Sequence, residues 1–328
     1  MKLIYVVLLL SLLSFSIAHQ YDCENNFYDD DYCLISSLRV SSEYPACKMQ
    51  FPEQKSIQLQ FAHLEYLSPV LLYRMPTVER LDISNSYVRK AFVKPALEYL
   101  KISGSQLTEV FLDLDEEYQL TNLHLPANQL TRLPNNLNHL KNLTMLDLTN
   151  NRLDFLDMSQ FNGLTNLLWV QLNDNYLKVV FSAEPVILPV LSDLSMARND
   201  IALLDMSRWE IPLLQEFYIS NNRLQELSNN FPKKFPLLRT VSLAENQWDC
   251  EWQVRVRQEL QQQNSTFEWF ACQDSEQTQA TVKGLKHEQQ LRQSMKDTIV
   301  QFAKNATGTE MDFDDIVDDL FCRMYGEQ

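Results

Sequence analysis

Apolar residues fall at fixed offsets from Gln54 to Trp248, in nine drifting copies of the pattern L-x-x-L-x-L-x-x-N-x-L. Leu143, Leu146, Leu148, Asn151 and Leu153 form the clearest copy. The polar slot recurs at Asn128, Asn151, Asn175, Asn199, Asn222 and Asn246, at steps of 23, 24, 24, 23 and 24 residues. Earlier copies hold Ala62, Ser86 and Ser105 in that slot, and the step from Ser86 to Ser105 is only 19 residues. Strand side chains alternate faces with period two. Leu123 and Leu125, Leu146 and Leu148, and Leu194 and Met196 therefore point inward, and the residues between them point out. One such unit cannot bury its own apolar side and must stack on the next, so the strands pair in parallel. The slot asparagine follows each strand, and its amide can both donate and accept across a turn. Between strands, Leu133, Leu137 and Leu140 anchor one arc, and Phe155, Met158, Phe161 and Leu164 the next. Pro134 and the neighbouring asparagines predict irregular or 3₁₀ turns there rather than long helices. The short step predicts that the first three repeats are irregular.

This pattern resembles the leucine-rich repeat. The resemblance implies an α/β solenoid: a horseshoe of about nine repeats, a parallel sheet on its concave face, disulfide caps and a C-terminal helical tail. Such a scaffold presents a surface rather than a catalytic pocket. The outward strand positions read in order as one open array, from Ser56 and Gln58 through Asp193 and Ser195 to Thr240 and Ser242. Within it Arg80, Tyr99, Lys101, His124, Met145, Trp169, Glu216 and Tyr218 are the candidate ligand-binding residues. Aromatic and Arg side chains concentrate binding energy at interfaces, which puts Trp169 and Tyr218 first, then Tyr99 and Arg80.

The ends of the chain differ from its middle. Lys2 precedes an apolar run from Leu3 to Leu13, and Ser16-Ile17-Ala18 fits a cleavage site, so residues 1–18 read as a secretory signal peptide too short to span a membrane. The expected divisions are 1–18 signal peptide, 19–53 N-terminal cap, 54–248 solenoid, 249–283 C-terminal cap and 284–328 helical acidic tail. Six cysteines lie only in the caps and tail: Cys23, Cys33 and Cys47 before the repeats, Cys250, Cys272 and Cys322 after. That placement predicts disulfide-stapled caps in an oxidising compartment and a secreted, extracellular protein. Cys33 with Cys47 and Cys250 with Cys272 is the preferred pairing; Cys23 can equally serve in the N-terminal cap. No C-x-x-C pair or nearby His supports zinc. Glu251 to Gln263 predicts a cap helix with Val254 and Leu260 toward the core. Leu291, Met295, Thr298 and Phe302 predict an amphipathic helix in the tail, either packed on the solenoid or joined to a partner helix.

Charge and motifs narrow the partners. The chain holds 28 Lys and Arg against 43 Asp and Glu, a net −15 that becomes −16 once Lys2 leaves with the signal. This argues against nucleic acid or an anionic membrane as partner. The run of Asp312, Asp314 and Asp315 lacks the Gly and terminal Glu of a calcium loop. Five histidines, His19, His63, His124, His139 and His287, sit in no metalloprotease pattern, and no G-x-S-x-G occurs. No catalytic residue, cofactor or metal is expected; His124 near Asp147 is the only suggestive pair. Sequons at Asn142, Asn264 and Asn305 are candidate glycosylation sites. Asn142 stands at the start of a strand, where a glycan would mask one rim. Acidic and aromatic residues from Tyr21 to Tyr32 read as a flexible leader.

Asn246, Trp248, Cys250 and Trp252 resemble the start of the C-terminal cap of extracellular leucine-rich repeat proteins, with Gln247 in place of a Pro and Trp252 in place of a second Cys. The whole plan resembles secreted insect leucine-rich repeat proteins, and more narrowly the leucine-rich immune molecules of mosquitoes. That resemblance implies a protein-binding innate immune recognition or carrier factor. It also implies a complement-like thioester protein or another leucine-rich repeat chain as partner, and a disulfide-linked dimer through Cys322. An extracellular matrix or signalling binder or decoy, and an inhibitor or salivary effector acting on a host protein, are the alternatives.

Overall fold

The structure, a computed structural model, describes residues 19–24, 32–41, 45–228 and 230–268. It is a leucine-rich-repeat horseshoe solenoid. Eleven parallel strands form its main sheet: β1 (Cys33–Ser36), β2 (Ser56–Gln60), β3 (Arg80–Ser84), β4 (Tyr99–Ser103), β5 (Asn122–His124), β6 (Met145–Asp147), β7 (Trp169–Gln171), β8 (Asp193–Ser195), β9 (Glu216–Tyr218), β10 (Thr240–Ser242) and β11 (Thr266–Glu268). Strands β2 to β10 are the nine repeats read from the sequence, and each cap adds one strand at its end. Neighbours pair without slippage, as in Tyr99↔Asn122, Asn122↔Met145 and Met145↔Trp169. The inward residues Leu123, Leu125, Leu146, Leu148, Leu194 and Met196 are fully buried.

The slot asparagines join the repeats. Asn151 accepts from the Leu130 N–H at 3.0 Å and donates to the carbonyls of Leu125 at 2.8 Å and Leu148 at 3.0 Å. Asn128, Asn175, Asn199, Asn222 and Asn246 repeat this arrangement. Ser86 keeps a reduced version, accepting from the Ala62 N–H and donating to the Ser84 carbonyl.

The residue just before each slot takes a left-handed backbone. Asn85, Gly104, Asn150, Asp174 and Asn221 suit it, and Phe61, at φ 53°, does not. A bulky residue there costs on the order of 1–2 kcal/mol, and Phe61 recovers nothing by burial, being 64% exposed. Phe61→Asn is expected to raise the thermal midpoint, by about 1 kcal/mol of added stability; an unchanged or lower midpoint would contradict this.

The first three repeats are not irregular in the main sheet: β2, β3 and β4 are five residues each and continuous with the rest. Their outer arcs form a parallel side sheet of His63–Leu67, Tyr87–Phe92 and Glu109–Phe111, and a second one of Phe155–Asp157, Val179–Phe181 and Leu203–Leu204 runs along later repeats. The 19-residue step is short because its outer strand, Tyr87–Phe92, is not followed by a helical turn such as Pro69–Leu72 in the preceding repeat. Lys94 fills the space left over: its buried ammonium donates to the carbonyls of Met75 at 2.7 Å and Pro76 at 2.8 Å. Burial holds its pKa below the usual value. Farther along, the arcs contain the expected 3₁₀ turns, Leu137–His139 and Met158–Phe161.

The caps correct two sequence expectations. The N-terminal disulfide joins Cys23 to Cys33, not Cys33 to Cys47, and Cys47 is a free, exposed thiol. The cause is local. Glu24 bridges antiparallel to Leu34, and its carboxylate accepts from the Ser36 N–H and hydroxyl. This brings the Cys23 and Cys33 Cα atoms to 4.9 Å, within the normal disulfide range. At the other end the helix Cys250–Gln262 starts on an Asp249 cap that accepts from the Trp252 N–H. Its buried stripe is Trp252, Val256 and Leu260, at a spacing of four. Val254, expected inside, lies about half a turn away and is 59% exposed. Cys250 is disulfide-bonded, with its partner beyond the described residues. Cys272, Cys322, Asn305, the expected signal peptide and the expected helical acidic tail also lie outside them.

Candidate binding face

Outward side chains between β3 and β9 interact across neighbouring strands and lay polar and aromatic groups over the leucine core. In the N-terminal half, exposed Arg80 lies over the Tyr99 ring at 4.6 Å and donates to the Tyr32 hydroxyl at 3.3 Å. Tyr32, read from sequence as part of a leader, is thus placed at the face. The Tyr99 and His124 rings are 5.4 Å apart. Lys101 pairs with Asp82 at 3.1 Å, and the other Asp82 oxygen accepts from the Ser84 hydroxyl at 2.5 Å. His124 Nδ1 lies 3.8 Å from the Asp147 carboxylate. Burial works to raise the Asp147 pKa, but hydrogen bonds from His124 and Thr149 outweigh it and hold the carboxyl below its usual value.

Beyond this lie Met145, whose sulfur accepts from the Asn122 amide at 2.9 Å, and half-buried Trp169. The register puts Tyr99, Asn122, Met145 and Trp169 in one row across four strands. The C-terminal half is acidic. Asp193 and Glu216 are register partners on β8 and β9, and the Tyr218 hydroxyl donates to Glu216 at 2.7 Å. Burial, the hydrogen bond with Glu216 and the charge of Glu216 push the Asp193 carboxyl up to about 7. Glu216 and burial together push the Tyr218 hydroxyl up to about 12. All eight candidate residues therefore lie on one sheet face. Two other outward positions are closed off: Ser56 and Ser195 are buried, the latter donating to the Asn173 side chain at 2.6 Å.

The Asp193–Glu216 pair sets a pH dependence. A folded-state carboxyl pKa near 7, above its unfolded value, binds a proton in the folded chain. Its stabilising contribution is complete below about pH 4 and is lost as pH rises through 7. Asp193→Asn removes the like-charge repulsion. At pH 8 the variant is expected to be more stable than the parent by about 1 kcal/mol, after discounting for the half-exposed site. Denaturant melts at pH 4 and pH 8 check this, and a gain of equal size at both pH values would contradict it.

Two surface features escaped the sequence reading. One is Phe61. The other is the outer face of the side sheet, where Tyr66 meets Phe111 edge-on at 5.9 Å, Lys90 lies over Phe111, and Arg89 and Tyr87 both bond Glu65. The 24-residue spacing of Glu65 and Arg89 was the available signal. Both described sequon asparagines are exposed on the rim at the strands' N-terminal ends. Asn142 lines a groove of about 590 Å³ there, with Thr121, Asn166, Leu168 and Val190 among its walls. Asn264 ends the cap helix with φ 58°.

The Leucine rich repeat family model matches residues 141–201. Bovine osteomodulin is 26% identical over 219 residues, covering 63% of this chain and 49% of its own. Bovine lumican is 34% identical over 152 residues, covering 46% of this chain and 41% of its own. The chain thus spans about half the length of the curated relatives it matches, or less. Among solved structures, the leucine-rich repeat domain of APL1B is similar at TM-score 0.53 and 19% identity, over 75% of this chain and 70% of that one. FLRT2, in an octameric complex with Latrophilin 3 and Unc5D, is similar at TM-score 0.54 and 19% identity, over 75% and 84%. These structures support the fold.

The chain carries leucine-rich repeats at residues 141–201 and shares the horseshoe fold of these proteins. Among the described residues no group of His, Cys, Asp and Glu could hold a metal ion. No described helix is long and apolar enough to cross a membrane.

Proposed function

We propose that the chain is an extracellular matrix or signalling binder that takes a protein ligand on the concave face of β3 to β9. The observation that carries this reading is the row of Tyr99, Met145 and Trp169 beside Arg80. With Asn122 between Tyr99 and Met145, the row sets two partly exposed rings and a thioether over the leucine core, with charged groups at either end. Similarity to lumican and FLRT2, which belong to matrix and signalling settings, supports this context over a specifically immune one. Glycans at Asn142 and Asn264 would crowd the rim at the strands' N-terminal ends and leave the face itself open. Affinity capture from extracellular fluid with the parent chain and a Tyr99→Ala, Trp169→Ala double variant tests the reading. The variant is expected to lose the partner by more than tenfold, since two central aromatic anchors are removed. Undiminished capture would reject the concave face.

The immune carrier reading, with a complement-like thioester partner and a dimer through Cys322, rests on the resemblance to mosquito leucine-rich immune molecules. A covalent dimer on non-reducing gels that vanishes in Cys322→Ser would favour it.

A further inference from the structure

We propose that Arg80 is the docking point for a carboxylate on the partner, and that the partner presents it on an extended segment whose apolar side chain reaches Trp169. This rests on the concave-face reading above. Three basic groups face outward on the N-terminal half of the concave sheet: Arg80, Lys101 and His124. Two are matched within the chain, Lys101 by Asp82 and His124 by Asp147. Asp82, two residues from Arg80 on the same face, is already shared between Lys101 and the Ser84 hydroxyl. Glu79, next to Arg80 in sequence, pairs with Lys55 instead. Arg80 has only neutral partners among the described residues: the Tyr99 ring beneath it and the Tyr32 hydroxyl beside it.

Among the described residues, that environment holds a guanidinium without neutralising it. A guanidinium carries five N–H donors in a planar fork, and the Tyr32 contact uses one nitrogen. The remaining donors are free to form the paired, in-plane bonds that Arg makes to carboxylates, and stacking on Tyr99 holds the fork in place for them. A neutral ligand would leave this charge unanswered, and a cationic one would be repelled. The shelf beyond sets the rest of the ligand. From Arg80 on β3 to Trp169 on β7 is four strand spacings, roughly 19 Å. An extended peptide covers that distance in about six residues. The segment therefore carries Asp or Glu, or a terminal carboxylate, with a large apolar residue about six positions away in either direction.

The test uses a phage-displayed library of random 12-residue peptides selected on the full secreted chain. Expected winners carry an acidic residue and, about six positions from it, an aromatic or aliphatic one. They should weaken at least tenfold on both Arg80→Gln and Trp169→Ala, and less on Arg80→Lys, which keeps the charge but loses the fork. Thermal melts equal to the parent show that each variant is folded, as expected for the exposed Arg80. Winners without an acidic residue, winners indifferent to Arg80→Gln, or no winners at all would overturn the inference. Peptides lost on Trp169→Ala but unaffected by Arg80→Gln would sink the carboxylate contact while sparing the concave-face reading. Peptides indifferent to both substitutions would reject the two together.

Discussion

Trp209→Ala is expected to lower the unfolding free energy by about 4 kcal/mol, the middle of the range for a buried aromatic truncated to Ala. Trp209 is 2% exposed and sits where the solenoid core changes from leucines to aromatic rings. Its ring centroid is 6.5 Å from those of Phe217 and Phe235, and Phe231 closes the cluster against both. The indole N–H donates to the Ser182 hydroxyl at 2.9 Å, and Ser182 is fully buried. Truncation would open a large cavity among rings that cannot collapse into it and leave that hydroxyl without its donor. Trp209→Phe separates the two effects. It keeps most of the packing and loses the hydrogen bond, for a cost of about 1–2 kcal/mol. Urea unfolding of the pair measures both, and a Trp209→Ala loss under about 1.5 kcal/mol would show that the cluster is not the packing centre inferred here.

Asn222→Ala comes next, at about 3 kcal/mol. Asn222 is 7% exposed, accepts from the Ile201 N–H at 2.9 Å, and donates to the Met196 and Ile219 carbonyls at 3.0 Å each. Alanine strands one buried donor and removes a donor from two carbonyls, each at the usual cost of about 1–3 kcal/mol, partly relieved by water. The bonds link one repeat to its neighbour, and solenoid stability is a sum of such neighbour terms. Faster hydrogen exchange should therefore concentrate in β8, β9 and β10 and leave β3 and β4 unchanged. Asn222→Ser should fall between parent and Ala, as the Ser86 arrangement already shows. A uniform rise in exchange along the chain would contradict a nearest-neighbour role.

These residues also show how far the sequence could be read. Asn222 was legible because a solenoid repeats one local geometry, and a polar residue at a 23- or 24-residue spacing can serve only one purpose in it. The concave face was legible for the same reason: strand alternation assigns every outward position once one leucine pair is placed. Reading stopped where contacts are not periodic. The Cys23–Cys33 bond depends on an antiparallel bridge in the cap that no repeat anticipates. Lys94 fills a gap whose shape exists only after the short outer arc has formed. Val254 turns outward because Trp252, Val256 and Leu260 set the phase of the helix, and the stripe that Val254 and Leu260 suggest lies off that phase. Asp193 and Glu216 are both outward by alternation, yet the raised Asp193 pKa follows from the register that sets them side by side. Tyr32 lay in a stretch that looked like a leader, and only the fold brings its hydroxyl to Arg80.

The most direct test of the concave face as the binding surface is hydrogen exchange of the chain alone and in complex with its captured partner. Protection centred on β3 to β9, with peptides containing Arg80, Tyr99 and Trp169 slowed most, is the expected result. Protection confined to the side sheet of His63–Leu67, Tyr87–Phe92 and Glu109–Phe111, or to the outer 3₁₀ turns, with the concave strands unchanged, would contradict it.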